Sequence, residues 1–131
     1  MAVKKQKMIT GRRKKSVARI SITPGSGKIK CNGTDYKSYF KRATIAAMVE
    51  KPFDAINKTG QYNVTANLSG GGLTGQAGAL RYAVSRALVD MVPDSRKKLK
   101  IRGFLTRDSR VVQRKMYGHK KARKSFQFSK R

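Results

Sequence analysis

The 131 residues carry 32 Lys and Arg against 6 Asp and Glu, a formal charge of +26, with 38% hydrophobic residues. The length argues for a single domain, the longest apolar runs, such as residues 44–49, are too short to cross a bilayer, and the lone Cys31 makes neither an internal disulfide nor a zinc site by itself. A charge of this size bears on partners more than on fold, and it points first to a polyanion: nucleic acid or an anionic membrane surface.

The charge is not spread evenly. Residues 1–34 hold ten basic side chains and no acid, residues 35–95 hold seven against five, and residues 96–131 hold fifteen against one. The pattern is a near-neutral body between two basic ends. Lys4, Lys5 and Lys7 lead into a polar stretch and not into an apolar signal-peptide core, so the sequence reads as cytosolic.

Along the chain, residues 1–15 are basic and aperiodic, with little apolar surface to bury, and read as an N-terminal arm. From Ser16 the pattern alternates, with Ala18, Ile20 and Ile22 on one face of a predicted strand. Pro24-Gly25-Ser26-Gly27 supplies turn chemistry, and residues 28–32 alternate again with Ile29 and Cys31 inward, which predicts a hairpin. The outward Lys and Arg give that sheet a basic outer face.

Asn32-Gly33 breaks the second strand, and Thr34 or Asp35 caps a short helix carrying Tyr36, Tyr39 and Phe40. A second short helix over residues 44–50 is expected to stop before Pro52. Residues 62–69 give the clearest strand, with Tyr62, Val64, Ala66 and Leu68 on one face. After Gly70-Gly71-Gly72 the stripe of Ala77, Leu80, Ala83, Val84, Ala87 and Leu88 predicts the longest helix, over residues 74–92. Pro93-Asp94-Ser95 ends it and begins a basic turn of helix over residues 96–101, closed by Gly103.

The body is thus residues 16–103. Beyond it, residues 104–131 form a basic tail in which Asp108 is expected to cap one more short helix ending at Gly118, and residues 120–131 have no fold of their own. Fully extended at roughly 3.3 Å per residue, the tail reaches about 90 Å. A body of this size with such arms repels itself, so low stability in isolation is expected, relieved by any polyanion that binds the folded form.

The tempting site is the glycine cluster. Gly70, Gly72 and Gly75 spell a dinucleotide-binding pattern, and residues 70–75 also spell the opening of a P-loop. Gln76 and Ala77 stand where a P-loop needs Lys and Ser or Thr. The acid about 20 residues on, Asp90, falls at the end of the same helix and not on a second strand, as the dinucleotide fold requires. Two readings stay open: a plain strand-to-helix turn, and backbone amides at a helix N-terminus holding an RNA phosphate. His119 has no carboxylate near it in sequence to orient it, Cys31 faces the core, and the six acids have no paired spacing, so no catalytic or metal site emerges and no cofactor is called for.

What remains is basic and aromatic. Arg12, Arg13, Lys14 and Lys15, then Arg96, Lys97 and Lys98 with Lys100 and Arg102, then Arg107, Arg110, Arg114, Lys115, Lys120, Lys121, Arg123 and Lys124 suit phosphates. Tyr117, Phe126 and Phe128 are interleaved where no core is expected, as stacking on unpaired bases would use them. An architectural DNA-binding protein with basic arms is the alternative reading that composition leaves open.

Five stretches in register narrow the choice. These are Gly11-Arg12-Arg13-Lys14-Lys15-Ser16-Val17-Ala18-Arg19, Pro24-Gly25-Ser26-Gly27-Lys28-Ile29, Gly75-Gln76-Ala77-Gly78-Ala79-Leu80-Arg81, the tail's Leu105-Thr106-Arg107-Asp108 with Arg114-Lys115 and Tyr117-Gly118, and the ending Gln127-Phe128-Ser129-Lys130-Arg131. In order and spacing the chain resembles the bacterial-type small-subunit ribosomal protein S-nine family. His119 departs from it, standing where that family usually has a basic residue, and residues 41–60 match loosely.

The resemblance implies an α/β (α+β) domain, a mixed sheet packed on helices of the ribosomal S-five domain-two-like kind, with an extended basic C-terminal tail. It implies a structural, non-enzymatic constituent of the small subunit, cytoplasmic or organellar. Its partners would be rRNA in the head, neighbouring small-subunit proteins and peptidyl-site tRNA, with no membrane and no small-molecule substrate. The rRNA-binding set is then the basic clusters above, Lys100 apart, with Arg19, Gln76, Arg81 and Tyr117, which lie in the matching stretches. The tRNA contacts would be Ser129, Lys130 and Arg131 at the tip, where a terminal guanidinium can fork onto phosphates beside a lysine point charge.

Overall fold

The computed structural model describes residues 7–129. Residues 1–6 of the expected arm, and Lys130 and Arg131 of the expected tRNA contact, lie outside the described residues. β1 (Met8–Arg13) and β2 (Ser16–Pro24) pair antiparallel through a two-residue turn at Lys14 and Lys15, with Lys14 at φ 52°. β5 (Tyr62–Ser69) pairs antiparallel with β2, and parallel with β3 (Ile29–Cys31), which pairs in turn with β4 (Thr34–Asp35). The result is a mixed five-stranded sheet in the order β1-β2-β5-β3-β4.

The helices are α1 (Tyr36–Phe40), α2 (Ala43–Ala55), α3 (Leu73–Met91) and α4 (Arg96–Ile101), the last entered through a 3₁₀ turn, Pro93–Ser95. α3 packs on β1 and β2, and α2 lies against α3. One face of the sheet is therefore dry. Ala18, Ile20, Cys31, Val64 and Ala66 meet Ala77, Leu80, Val84 and Leu88 in the core. The opposite face carries Arg19, Lys30, Thr65 and Asn67, all exposed, as the alternation requires. The mixed sheet packed on helices is the fold class the sequence implied.

Four expectations change. The arm is ordered over residues 8–13 as edge strand β1. Ile9 is buried, and Gly11 lies so close to α3 that a Cβ there would stand 2.4 Å from the Ala79 carbonyl oxygen. β2 and β3 are not a hairpin, because β5 lies between them. Asn63 of β5 holds the intervening turn, its Oδ1 accepting from the backbone N–H of Ser26, Gly27 and Lys28 at 3.0, 3.1 and 3.0 Å.

Helix α2 runs through Pro52, which is buried with Phe53 and Ala55. Apolar contact there outweighs the backbone hydrogen bond that proline removes. Among the described residues, no helix forms after Asp108. Its carboxylate takes Arg110 at 2.7 Å and lies 3.6 Å from Arg13, and residues 107–116 have no regular structure.

Candidate nucleic-acid interface

Arg19 apart, the candidate RNA-binding residues fall in four places. At one end of the sheet the Lys14-Lys15 turn abuts the glycine turn: a Cβ on Gly70 would stand 2.4 Å from the Lys15 carbonyl oxygen, and Gly70 and Gly71 both take positive φ. Gln76, expected to bind RNA, lies at this turn. It is buried, its Nε2 donates to the Gly70 carbonyl at 3.0 Å and its Oε1 accepts from Tyr39 Oη at 2.6 Å, while Ser16 Oγ donates to the same carbonyl at 3.2 Å. The amide satisfies a tight strand-to-helix turn.

The second place is the root of the tail. Phe104 and Leu105 are half-buried against the core, and the Arg81 guanidinium sits 5.3 Å from the Phe104 ring centroid, a cation–π contact. Arg13 crosses the Gly78 backbone to the same spot. Its Nε is buried without a hydrogen-bond partner and lies 3.6 Å from Asp108 Oδ2. Burial, and then the Arg13 charge, lower the pKa of Arg81, opposed by Asp108. The Asp108 carboxyl is held well below the usual carboxylate range, chiefly by the Arg110 side chain and then by the Arg110 backbone N–H. Arg13 and Arg81 thus anchor the tail, whereas Arg12, Arg107 and Arg110 beside them remain exposed.

Third, α4 exposes Arg96, Lys97 and Lys98 around the buried Leu99, with Arg102 just beyond. Fourth is the tail itself. Arg114, Lys115, Lys120, Lys121, Arg123, Lys124 and Ser129 are exposed, and so are Tyr117 at 93%, Phe126 at 60% and Phe128 at 87%. Residues 119–125 close a small loop that the sequence did not suggest. Lys120 N–H donates to the Lys124 carbonyl at 2.8 Å, His119 bridges Ser125, and Arg123 Nε reaches Gln113 Oε1 at 3.1 Å. Four cations are thereby gathered on one turn.

Arg19 stands apart, exposed on the open face of the sheet. Cys31 is fully buried, and burial, with a smaller effect of the Asp35 charge, pushes its thiol up to about 12. Tyr36 is likewise raised, by burial and then by its hydrogen bond to Glu50. Two residues of this surface went unread in the sequence: Tyr82 and Arg86, on α3, flank the free edge of β1, and Arg86 Nη1 donates to the Thr10 carbonyl at 2.8 Å.

Against this geometry, the family model described as Ribosomal protein S9/S16 matches residues 11–131. The chain belongs to that family. It is a structural ribosomal protein of the small subunit, and the S9/S16 match spans the sheet from Gly11 of β1 onward, the glycine turn, the tail root and the basic tail. Among the described residues, no helix is long and apolar enough to cross a membrane.

Proposed function

We propose that this protein binds and neutralises folded rRNA in the head of the small subunit, and that its tail tip contacts peptidyl-site tRNA during translation. The observation that carries the reading is the tail. Past residue 103 the described chain presents exposed cations and exposed aromatic rings on a backbone with neither helix nor strand beyond one isolated bridge. Cations on such a backbone follow phosphates, and rings without a core stack on unpaired bases. The exposed sets Arg12, Lys14 and Lys15, then Arg96, Lys97, Lys98 and Arg102, serve the body's side of the rRNA contact, while Arg13 and Arg81 set the tail's exit.

The role is non-enzymatic and needs no cofactor. It is exercised in the cytoplasm or, for an organellar ribosome, in the stroma or matrix, among neighbouring small-subunit proteins. Co-sedimentation of tagged chain with small subunits lacking it tests the reading. Stoichiometric entry into the particle, released by ribonuclease, is expected; a chain that stays at the top of the gradient contradicts it. If the surface neutralises on the order of ten phosphates, affinity for free rRNA falls by several decades between low and moderate salt.

A further inference from the structure

Two hollows along the free edge of β1 are lined by Tyr82 and Arg86, which have no part in the reading above. One, of about 550 Å³, lies between β1, α3 and the tail root. The other, of about 280 Å³, shares Thr10, Tyr82 and Arg86 with it, so the two make one groove. Its walls bring together Lys7, Arg12, Arg86, Arg96 and Arg107 from parts of the chain far apart in sequence, against the single carboxylate of Asp90, which Lys7 already holds at 2.9 Å. The Arg86 guanidinium lies 5.7 Å from the Tyr82 ring centroid.

Resting on the rRNA-binding reading, we propose that this groove holds the sugar-phosphate backbone of one RNA strand, with Arg86, Arg12 and Arg107 on phosphates and Tyr82 against a sugar or base. Charge complementarity selects a polyanion, and guanidinium forks suit phosphate oxygens. An acidic protein segment adding itself to the β1 edge is the competing occupant. Strand addition needs the edge's backbone groups free, and Arg86 already occupies the Thr10 carbonyl at 2.8 Å. An added strand would have to displace that guanidinium, whereas a phosphate would use it and the cations beside it.

Asp90→Cys, on the exposed rim and outside the proposed ligand groups, carries an iron chelate for directed hydroxyl-radical cleavage in assembled small subunits. Buried Cys31, its thiol pushed up, stays unlabelled, and Ser125→Cys in the tail is the positive control. Cleavage of one short rRNA segment from position 90 is expected. Cleavage from position 125 with none from position 90 overturns the groove and leaves the ribosomal reading standing. A second measurement needs no substitution: modification of Arg86 by an arginine-specific dicarbonyl, read by mass spectrometry on native chain. Loss of reactivity in the particle, regained after ribonuclease, supports the RNA strand; protection that survives ribonuclease assigns the groove to a protein neighbour, and full reactivity leaves it open to solvent. Failure of the native chain to enter the particle removes the rRNA reading itself.

Discussion

Gly11→Ala measures how firmly the N-terminal strand is seated. A Cβ at position 11 would stand 2.4 Å from the Ala79 carbonyl oxygen and 2.7 Å from both the Cβ and the N of Ala83. All but one of those atoms are helix backbone, so neither side can yield locally, and β1 must lift from α3 by about 1 Å to restore ordinary van der Waals contact. Overpacking of this kind costs about 1–3 kcal/mol, here at the upper end because backbone opposes backbone. For a domain of this size about 3 kcal/mol lowers Tm by roughly 10–20 °C.

Gly78→Ala is the matched control. Its Cβ meets the Arg13 side chain, with Cδ at 2.5 Å and Nη1 at 2.7 Å, and a side chain can yield where backbone cannot, at the expense of the tail-root contact and not of the sheet. Replacing a helical glycine also recovers up to about 1 kcal/mol of propensity, so a Tm near that of the native chain is expected. Circular dichroism melts of both variants in sulfate buffer, which favours the compact state, give the comparison. Equal melting of Gly11→Ala and native chain would refute the seating of β1 on α3 and return residues 8–13 to a free arm.

Two further outcomes follow from the same contacts. Asn63→Ala strands three backbone N–H groups of the Pro24–Lys28 turn, which are partly exposed and recover water, so a loss of about 1–2 kcal/mol is expected in urea unfolding. Asp108, its pKa depressed, contributes to tail-root order above the ordinary carboxylate pKa, and that contribution is lost only as pH falls through its lowered folded value. The tail-root contacts therefore persist at pH 4 in native chain; in Asp108→Asn they are weaker at neutral pH and down to the lowered folded value, below which the two chains converge, as carboxyl titration and Phe104 ring shifts by NMR would record.

The parts of the fold that were legible in the sequence are those fixed by local periodicity. β5 keeps its predicted bounds, α3 is displaced by one residue, and Asp35 caps α1 through the Lys37 N–H. β1 was hidden because its inward positions are Ile9 and Gly11: a glycine that packs against helix backbone offers no hydrophobic signal. Strand order was hidden for a different reason. The residues joining β2 to β3 carry turn chemistry, but the partner that holds that turn, Asn63, lies 35 residues away or more. Gln76 was named for RNA through the resemblance alone; its two hydrogen-bond partners, Gly70 and Tyr39, come together only in the fold. Arg86 and Tyr82 were unreadable as surface groups until β1 was known to lie beside them.

The proposed division between a body and tail that hold rRNA and a tip that serves tRNA is tested most directly by removing the tip. Small subunits assembled with chain lacking Ser129, Lys130 and Arg131 are compared with native particles for protein incorporation and for dissociation of tRNA from the peptidyl site. Equal incorporation with faster tRNA dissociation is the expected result. Unchanged tRNA dissociation, or incorporation lost in step with tRNA, would contradict a separate partner for the tip.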